Sequence, residues 1–167
     1  MQVAVYFEDL PTGTQLPPLS KGPMSPAHIM RWSAAVENFH RIHYDHGFAT
    51  EHDKLPDILV NGSWKQHVLV QLMKDGLGRD GWLWKIQFRY KMMDVAWDTL
   101  HARAEVLDRR EIDGLGFVQC RIQLLNQRDQ VSTAGHAIGV VPLQGGRPVP
   151  YPFVARPEYD VFARPTE

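Results

Sequence analysis

The 167-residue sequence contains a single cysteine, almost no net charge and no long apolar run. One cysteine excludes an internal disulfide framework, and Cys120, which alternates with Val118 and Ile122, is predicted to be a buried strand residue rather than a nucleophile. A formal net charge of -1 provides no positive field for nucleic acid, so no nucleic-acid partner is expected. No stretch approaches the roughly 20 apolar residues of a membrane span, and the first residues lack a basic, apolar leader. The sequence therefore predicts a cytoplasmic protein that does not enter the membrane.

The amino-acid composition is that of a globular chain, with 44% hydrophobic and 22% charged residues. Residues 25–39 are predicted to form a helix, because Ser25 is a favourable N-cap and Pro26 suits the first helical position. Apolar side chains recur at helical spacing along one face of this segment: Ile29, Trp32, Val36 and Phe39. Asn38 is then expected near the helix end, and His43 in the loop after it.

A second helix is predicted over residues 63–75. Ser63 and Gln66 have the spacing of a capping box, and Gly76 is expected to end the helix. Its apolar face is wide: Trp64, Val68, Leu69, Leu72 and Met73. So much apolar surface on one helix predicts a central helix that is buried against a sheet.

The second half of the chain is predicted to form strands. Apolar and polar residues alternate in 84–92, 100–106 and 118–124, and the small-residue run 131–141 is read as a fourth strand. The turn sequence at 113–116 joins two of these strands into a hairpin. Two helices followed by antiparallel strands predict an α+β fold in which a sheet is wrapped around a helix.

The chain is divided into a domain over residues 1–143 and a C-terminal arm over 144–167. The arm is rich in proline and carries four aromatic residues: Tyr151, Phe153, Tyr159 and Phe162. Two interpretations stay open, namely an extended arm that packs by its aromatic side chains on this chain or on a neighbouring subunit, and a disordered tail.

The stretch 37-ENFHRIHYD-45 concentrates polar residues that can carry chemistry. A metal site formed by His40, His43 and His46 is the weaker interpretation, because no second ligand cluster stands out elsewhere in the sequence. A histidine in a loop can instead act as an acid/base, and Asn38 can orient a water molecule. Asp45 can either fix the tautomer of His43 or cap the segment that follows. A purely structural role for these histidines is the remaining alternative.

The stretch 58-ILVNGSW-64 leads an apolar segment into Gly62 and then into the second helix. Amides at the start of a helix point towards its positive end, and glycine permits a ligand to approach the backbone. This arrangement can hold a carbonyl oxygen that gains negative charge. An ordinary helix start is the alternative interpretation.

Basic residues also gather on the predicted strands. Lys85, Arg89 and Lys91 share one strand face, and Arg103 and Arg121 lie on later strands. A solvated surface is the favoured interpretation. The alternative is a binding surface for the phosphates of a substrate such as coenzyme A.

Three stretches together resemble the MaoC-like hot dog family: 6-YFEDLPTGTQLPPLSKGP-23, 38-NFHRIHYD-45 and 58-ILVNGSW-64. The resemblance covers residues 5–143 and is strongest to the branch of hydroxyacyl-thioester dehydratase type 2 and mesaconyl-CoA hydratase. It implies a hot dog fold, and it implies reversible hydration of a 2-enoyl-CoA or dehydration of a 3-hydroxyacyl-CoA. No cofactor or metal is implied, since coenzyme A enters as part of the substrate.

The resemblance also implies roles for individual residues. His43 matches the catalytic histidine, Asn38 stands where the family usually has an aspartate, and Gly62 would bind the thioester oxygen through its amide. Asn61 stands where the family usually has a histidine. Substrate contacts are further expected from Asn61, Ser63, His40 and Asp45.

The asparagines at positions 38 and 61 leave three possibilities for the chain. In the first, the chain is active alone, as a homodimer or higher homo-oligomer with the site at the subunit interface. In the second, it is active only with a second hot dog subunit. In the third, it is a non-catalytic half of a heteromeric hydratase. An acyl-CoA thioesterase is a further alternative within the same fold. The acyl group, and whether coenzyme A or a carrier protein bears it, stay open.

Overall fold

The computed structural model describes residues 3–162, which form a five-stranded sheet and two α-helices. In chain order the elements are β1 (Leu19–Lys21), α1 (Pro26–Ala35), α2 (Gly62–Gly76), β2 (Trp82–Tyr90), β3 (Leu100–Ile112), β4 (Leu115–Leu125) and β5 (Val131–Pro142). Short helical turns lie at Phe7–Asp9, Arg41–His43, Phe48–His52 and Pro157–Tyr159. Within residues 3–162, no helix is long and apolar enough to cross a membrane.

The sheet is antiparallel throughout and its strand order is β1-β3-β4-β5-β2. One face of the sheet packs on α2, and four apolar side chains of this helix are at most 1% exposed: Val68, Leu69, Leu72 and Met73. Burial of each such side chain stabilises the fold by about 1.5–3 kcal/mol. The predicted α+β hot dog fold, a sheet wrapped around a central helix, is confirmed.

The hairpin between β3 and β4 turns where the sequence predicts it. Asp113 and Gly114 both have positive φ angles, 53° and 65°, and Ile112 pairs with Leu115 across the turn. Two left-handed residues in a two-residue loop suit the twist of the flanking strands, and Asp-Gly is a favoured sequence for this turn.

Helix α1 is shorter than predicted at its C-terminal end. Ser25 is the N-cap, as expected, and its hydroxyl accepts from the amide of His28. The helix ends at Ala35 because Glu37 adopts a left-handed conformation with φ 54°. The amide of Asn38 then donates to the Ser33 carbonyl at 2.9 Å, and the amide of Glu37 donates to the Ala34 carbonyl at 3.3 Å.

These two bonds form a Schellman motif, which satisfies the last carbonyls of the helix.

The predicted apolar face of α1 is therefore only half correct. Ile29 is buried, whereas Val36 and Phe39 lie beyond the helix and are 44% and 59% exposed.

The start of α2 also differs from the prediction. Asn61 is the N-cap and Gly62 the first helical residue, so Ser63 does not cap the helix and the capping box with Gln66 is wrong. The Ser63 hydroxyl instead accepts from the indole Nε1 of Trp32 at 2.9 Å. The local sequence permits a helix start at residue 62 or at residue 63. In the structure the helix starts at Gly62, and the Ser63 side chain is used for the contact with α1.

Strand β1 is not among the elements that the sequence predicts. It has only three residues and exists through its pairing with β3, in which Ser20 lies opposite His101. A strand this short carries too little alternation for the sequence to reveal it.

The described part of the C-terminal arm packs against the sheet face that points away from α2. Tyr159 and Phe162 are 3% and 8% exposed and contact a cluster that includes Trp84 and Phe117. The Tyr159 hydroxyl donates to the Asp113 carboxylate at 3.0 Å, so the arm is tied to the β3–β4 turn. Residues 163–167 of the arm lie outside the described residues.

Candidate active site

His43 lies in the short helical turn Arg41–His43 and is only 6% exposed. Its ring nitrogen Nδ1 is 2.8 Å from the carbonyl oxygen of Leu59, on the segment that leads into α2. A carbonyl oxygen only accepts hydrogen bonds, so Nδ1 carries the hydrogen and donates. The neutral ring therefore keeps its lone pair on Nε2, which is the tautomer of a general base.

Burial lowers the pKa of His43 below its ordinary value of 6.5. The bond to the Leu59 carbonyl opposes this change and raises the pKa, whereas the neighbouring His40 lowers it further. Desolvation is the largest of these effects, because a charged imidazolium loses water contacts in this position. The ring is thus held neutral near pH 7 and is able to accept a proton.

The Asp45 carboxylate binds elsewhere and does not contact the His43 ring. It accepts from the amide of Phe48 at 2.9 Å and pairs with the Arg41 guanidinium at 2.7 Å. The Phe48 amide, followed by Arg41, holds the pKa of Asp45 below its usual value. Of the two roles considered for Asp45, the cap of the following segment is correct and the fixing of the His43 tautomer is wrong, since Leu59 does that.

His40 lies beside His43, and Asn38 contacts the backbone of His40. The His40 ring centroid is 6.4 Å from that of His43, and its Nδ1 accepts from the amide of Ile42 at 3.4 Å. The side-chain oxygen of Asn38 accepts from the amide of His40 at 3.3 Å. Asn38 therefore stabilises the turn that carries both histidines, while its amide nitrogen stays available as a donor.

The Asn61 side chain is 1% exposed and points to α1. It exchanges two hydrogen bonds with the buried Ser33 hydroxyl, at 3.0 and 3.3 Å. The role expected for Asn61 as a substrate contact is therefore not supported by this geometry. Asn61 instead joins α1 to the first turn of α2.

Gly62 and Ser63 are the first two residues of α2, so their amides have no acceptor within the helix. A Cβ added at Gly62 would lie 3.0 Å from Cζ of Tyr90, and the Tyr90 hydroxyl donates to the Gly62 carbonyl at 2.7 Å. The missing side chain thus makes room for Tyr90. The glycine was expected to make room for a ligand, and the structure adds this second reason for it.

Sequence reasoning missed two further features at the start of α2. One is Tyr90, which the alternation of β2 assigned only to the apolar side of a strand. The other is an ion pair between Lys65 and Asp94, whose side chains are 3% and 0% exposed. A lysine inside an apolar helical face was the one available signal for this pair.

The remaining candidates behave as structural residues. Cys120 is buried, and burial raises the pKa of its thiol to about 12. Lys85 pairs with Asp160 at 2.7 Å, and Arg121 pairs with Glu105, so these members of the basic strand faces are engaged within the chain. Among residues 3–162, no group of three or more His, Cys, Asp or Glu side chains is arranged to hold a metal ion.

A groove of about 360 Å³ lies between α1, β1 and the start of α2. Its apolar lining includes Met24, Trp32 and Trp64, and Lys21 and Arg31 add positive charge. Because the Trp32 indole donates a hydrogen bond to the Ser63 hydroxyl, the groove adjoins the first turn of α2.

Comparison with known families matches the chain to a family of thioester dehydratases. The sequence model of the family "hydroxyacyl-thioester dehydratase type 2" matches residues 13–98. A search of curated proteins finds no match.

Solved structures share the fold at low sequence identity. An (R)-hydratase from A. caviae involved in PHA biosynthesis is 21% identical with a TM-score of 0.72, over 81% of this chain and 99% of that chain. A MaoC-like dehydratase from Rhodospirillum rubrum is 20% identical with a TM-score of 0.72, over 84% and 98%. The ChsH1–ChsH2 complex from Mycobacterium tuberculosis is 21% identical with a TM-score of 0.67, over 78% and 97%.

Proposed function

Because this chain belongs to the hydroxyacyl-thioester dehydratase type 2 family, we propose that it catalyses the reversible hydration of a 2-enoyl thioester to a 3-hydroxyacyl thioester. The family supplies the general class of reaction. The observation that carries the assignment to specific residues is the His43–Leu59 hydrogen bond, which leaves a buried, neutral Nε2 as the base.

In the hydration direction, Nε2 of His43 removes a proton from water as the water oxygen bonds to C3 of the substrate. The electron pair of the C2–C3 double bond moves towards the thioester oxygen, which the Gly62 amide binds as it becomes negative. The proton on Nε2 is then delivered to C2, and the histidine is neutral again. Asn38 orients the water through its amide nitrogen.

The groove beside α2 is our candidate for the acyl group. It adjoins the first turn of α2 at Trp64, and its apolar lining suits a hydrocarbon portion. Lys21 and Arg31 favour an acyl group with a second carboxylate. Enoyl-CoA substrates that differ only in a terminal carboxylate test this assignment. The same acyl groups on a carrier protein test whether coenzyme A or a carrier protein bears the acyl group.

The experiment that tests the reaction follows the loss of the conjugated enoyl-thioester absorbance with purified protein and crotonyl, long-chain and branched dicarboxylic enoyl-CoA substrates. His43→Asn is the informative variant, because its amide can still donate to Leu59 but it has no Nε2. We expect turnover by the native chain and a loss of at least about 100-fold in the variant.

The exposed His46 provides a matched control, and His46→Asn should keep the native rate. Equal rates for His43→Asn and the native chain would refute the role of His43. A thiol reagent in parallel reports free coenzyme A, which would indicate the thioesterase alternative instead.

A partner-dependent subunit is the second candidate, and three observations favour it. Neither Asn38 nor Asn61 can titrate, and the ChsH1–ChsH2 complex is among the similar structures. In the described part of the chain, β2 is an edge strand, and Tyr90 and Met93 near its end are 50% and 57% exposed. A homodimer along this edge is our expectation for a chain that is active alone, and light scattering with an activity assay on the same fraction distinguishes the two assemblies.

A further inference from the structure

A buried ion pair underlies the first turn of α2, and the proposed reaction does not use it. Lys65 is the fourth residue of the helix, and its ammonium nitrogen Nζ lies 2.6 Å from Oδ2 of Asp94. The same nitrogen donates to the carbonyl oxygen of Met92 at 3.0 Å. Both charged side chains are almost completely removed from solvent.

Asp94 is tied to the segment that leads into α2. Its carbonyl oxygen accepts from the amide of Val60 at 2.9 Å, and the next residue, Val95, forms an isolated bridge with Leu59. Its carboxylate pairs with the Lys65 ammonium at 2.6 Å, and within residues 3–162 neither carboxylate oxygen makes a further hydrogen bond. Leu59 is also the residue whose carbonyl holds His43.

Tyr90 connects the pair to Gly62. Its hydroxyl donates to the Gly62 carbonyl at 2.7 Å, and its ring covers the place where a side chain at position 62 would lie. Nζ of Lys65 is 5.3 Å from the centre of the same ring. The first turn of α2 is therefore held by Lys65 from within the helix and by Tyr90 from β2.

Stability does not explain why charges occupy these positions. A lysine in the first turn opposes the helix dipole. Replacement of a buried ion pair by apolar residues is often neutral or stabilising, because the pair loses its hydration on folding. The neighbouring inward positions of α2 are apolar, for example Val68 and Leu69, so apolar residues suit this helix face.

We propose that Lys65, Asp94 and Tyr90 are positioning residues, which fix the direction of the Gly62 amide towards the thioester oxygen. This inference rests on the proposed function. Hydrogen-bond donors stabilise a developing oxyanion only when they are oriented in advance, and small displacements of such a donor reduce the rate steeply. The ion pair orients the turn from the protein interior and touches no substrate atom.

The test replaces both charges together, in Lys65→Met/Asp94→Leu, so that neither is left buried without its partner. We expect a folded protein with an unchanged or higher Tm, a kcat lowered by about 10- to 100-fold and a KM within about threefold of native. The control, Lys74→Met, removes an exposed lysine from the last turn of the same helix and should keep the native kcat.

Tyr90→Phe provides a second variant that should fold normally. Tyr90 is half exposed, and the substitution removes only its hydroxyl group, so the core stays intact. It should lower kcat about fivefold or more with little change in KM, since the bond to the Gly62 carbonyl is lost. Native kcat values in both the double variant and Tyr90→Phe would overturn the proposal. If the double variant fails to fold, the result for Tyr90→Phe decides it.

A readout that needs no turnover separates this inference from the proposed function. Acetoacetyl-CoA bound at the site should gain enolate absorbance, because the Gly62 amide stabilises the enolate oxygen. Lys65→Met/Asp94→Leu should form less enolate when it is saturated with this ligand. Turnover of enoyl-CoA with equal enolate formation in both proteins would refute only the positioning role, whereas a native chain without turnover or enolate formation would refute both.

Discussion

Nδ1 of His43 donates a hydrogen bond to the carbonyl oxygen of Leu59 at 2.8 Å. This bond joins the turn that carries the histidine to the segment that enters α2, so the base and the Gly62 amide are held by one connection. A main-chain carbonyl fixes the tautomer without adding a charge. The carboxylate of Asp45, which lies nearer in sequence, is engaged with Arg41 and Phe48 instead.

The pH dependence of the reaction should follow His43. Because burial lowers the pKa of its ring, the neutral form persists below pH 6.5, and kcat/KM for hydration should fall only on the acid side of that value. His40→Asn removes a neighbour that lowers this pKa and keeps a side-chain oxygen for the Ile42 amide. The acid limb should therefore move to higher pH, as measured by kcat/KM profiles of both proteins. An unmoved limb would show that another group controls it.

The residue at position 38 should affect the rate through orientation and through charge. Asn38→Ala removes the acceptor for the His40 amide and should lower kcat by about tenfold or more. Asn38→Asp keeps that acceptor and adds a carboxylate, so it should keep at least the native kcat at pH 7. Steady-state kinetics of the two variants check this, and equal losses in both would contradict it.

Gly62→Ala should reduce activity more than stability. The new Cβ would lie 3.0–3.2 Å from atoms of the Tyr90 ring, which must move and weaken its bond to the Gly62 carbonyl. Alanine reduces the conformational freedom of the unfolded chain, which contributes about 0.4–1 kcal/mol and offsets this loss, so the free energy of unfolding should stay within about 1 kcal/mol of native. Denaturant titration and kcat measured on one preparation test both parts. A large loss of stability with native kcat would contradict the account.

The C-terminal arm should stabilise the domain. Tyr159→Ala removes a ring that is 3% exposed, together with the hydroxyl bond to Asp113, and should lower the free energy of unfolding by about 3 kcal/mol. Tyr151→Ala in the same arm removes a ring that is 87% exposed and should change it by less than about 0.5 kcal/mol. Urea unfolding of both variants measures the difference. Equal stability of the two would mean that the arm does not support the sheet.

The sequence predicts those elements of the fold whose buried side chains recur at a regular spacing within one element. The apolar face of α2 and the alternation of β3 and β4 are each visible within one element, and the structure buries the same side chains. The end of α1 was missed because its left-handed residue is Glu37 rather than glycine. Strand β1 depends on pairing with a distant strand, which a local pattern does not contain.

The residues proposed for the site came from local patterns, whereas the contacts that connect them did not. The spacing of Asn38, His43 and Gly62 singled out two segments of the chain, and the roles of these residues stay a prediction. The bond from His43 to Leu59, and the pair of Lys65 with Asp94, join residues far apart in sequence, so no local spacing indicates them. The hydrogen bonds between Asn61 and Ser33 on α1 likewise join distant residues, so no local pattern indicates them.

Transfer of a proton by His43 to C2 of the substrate is the central claim, and proton NMR of crotonyl-CoA hydration in D2O tests it most directly. The native chain should form 3-hydroxybutyryl-CoA with one deuterium at C2, and His43→Asn should form this product at least about 100-fold more slowly. Formation of the deuterated product at equal rates by the two proteins would contradict the account, as would the absence of any hydrated product from the native chain.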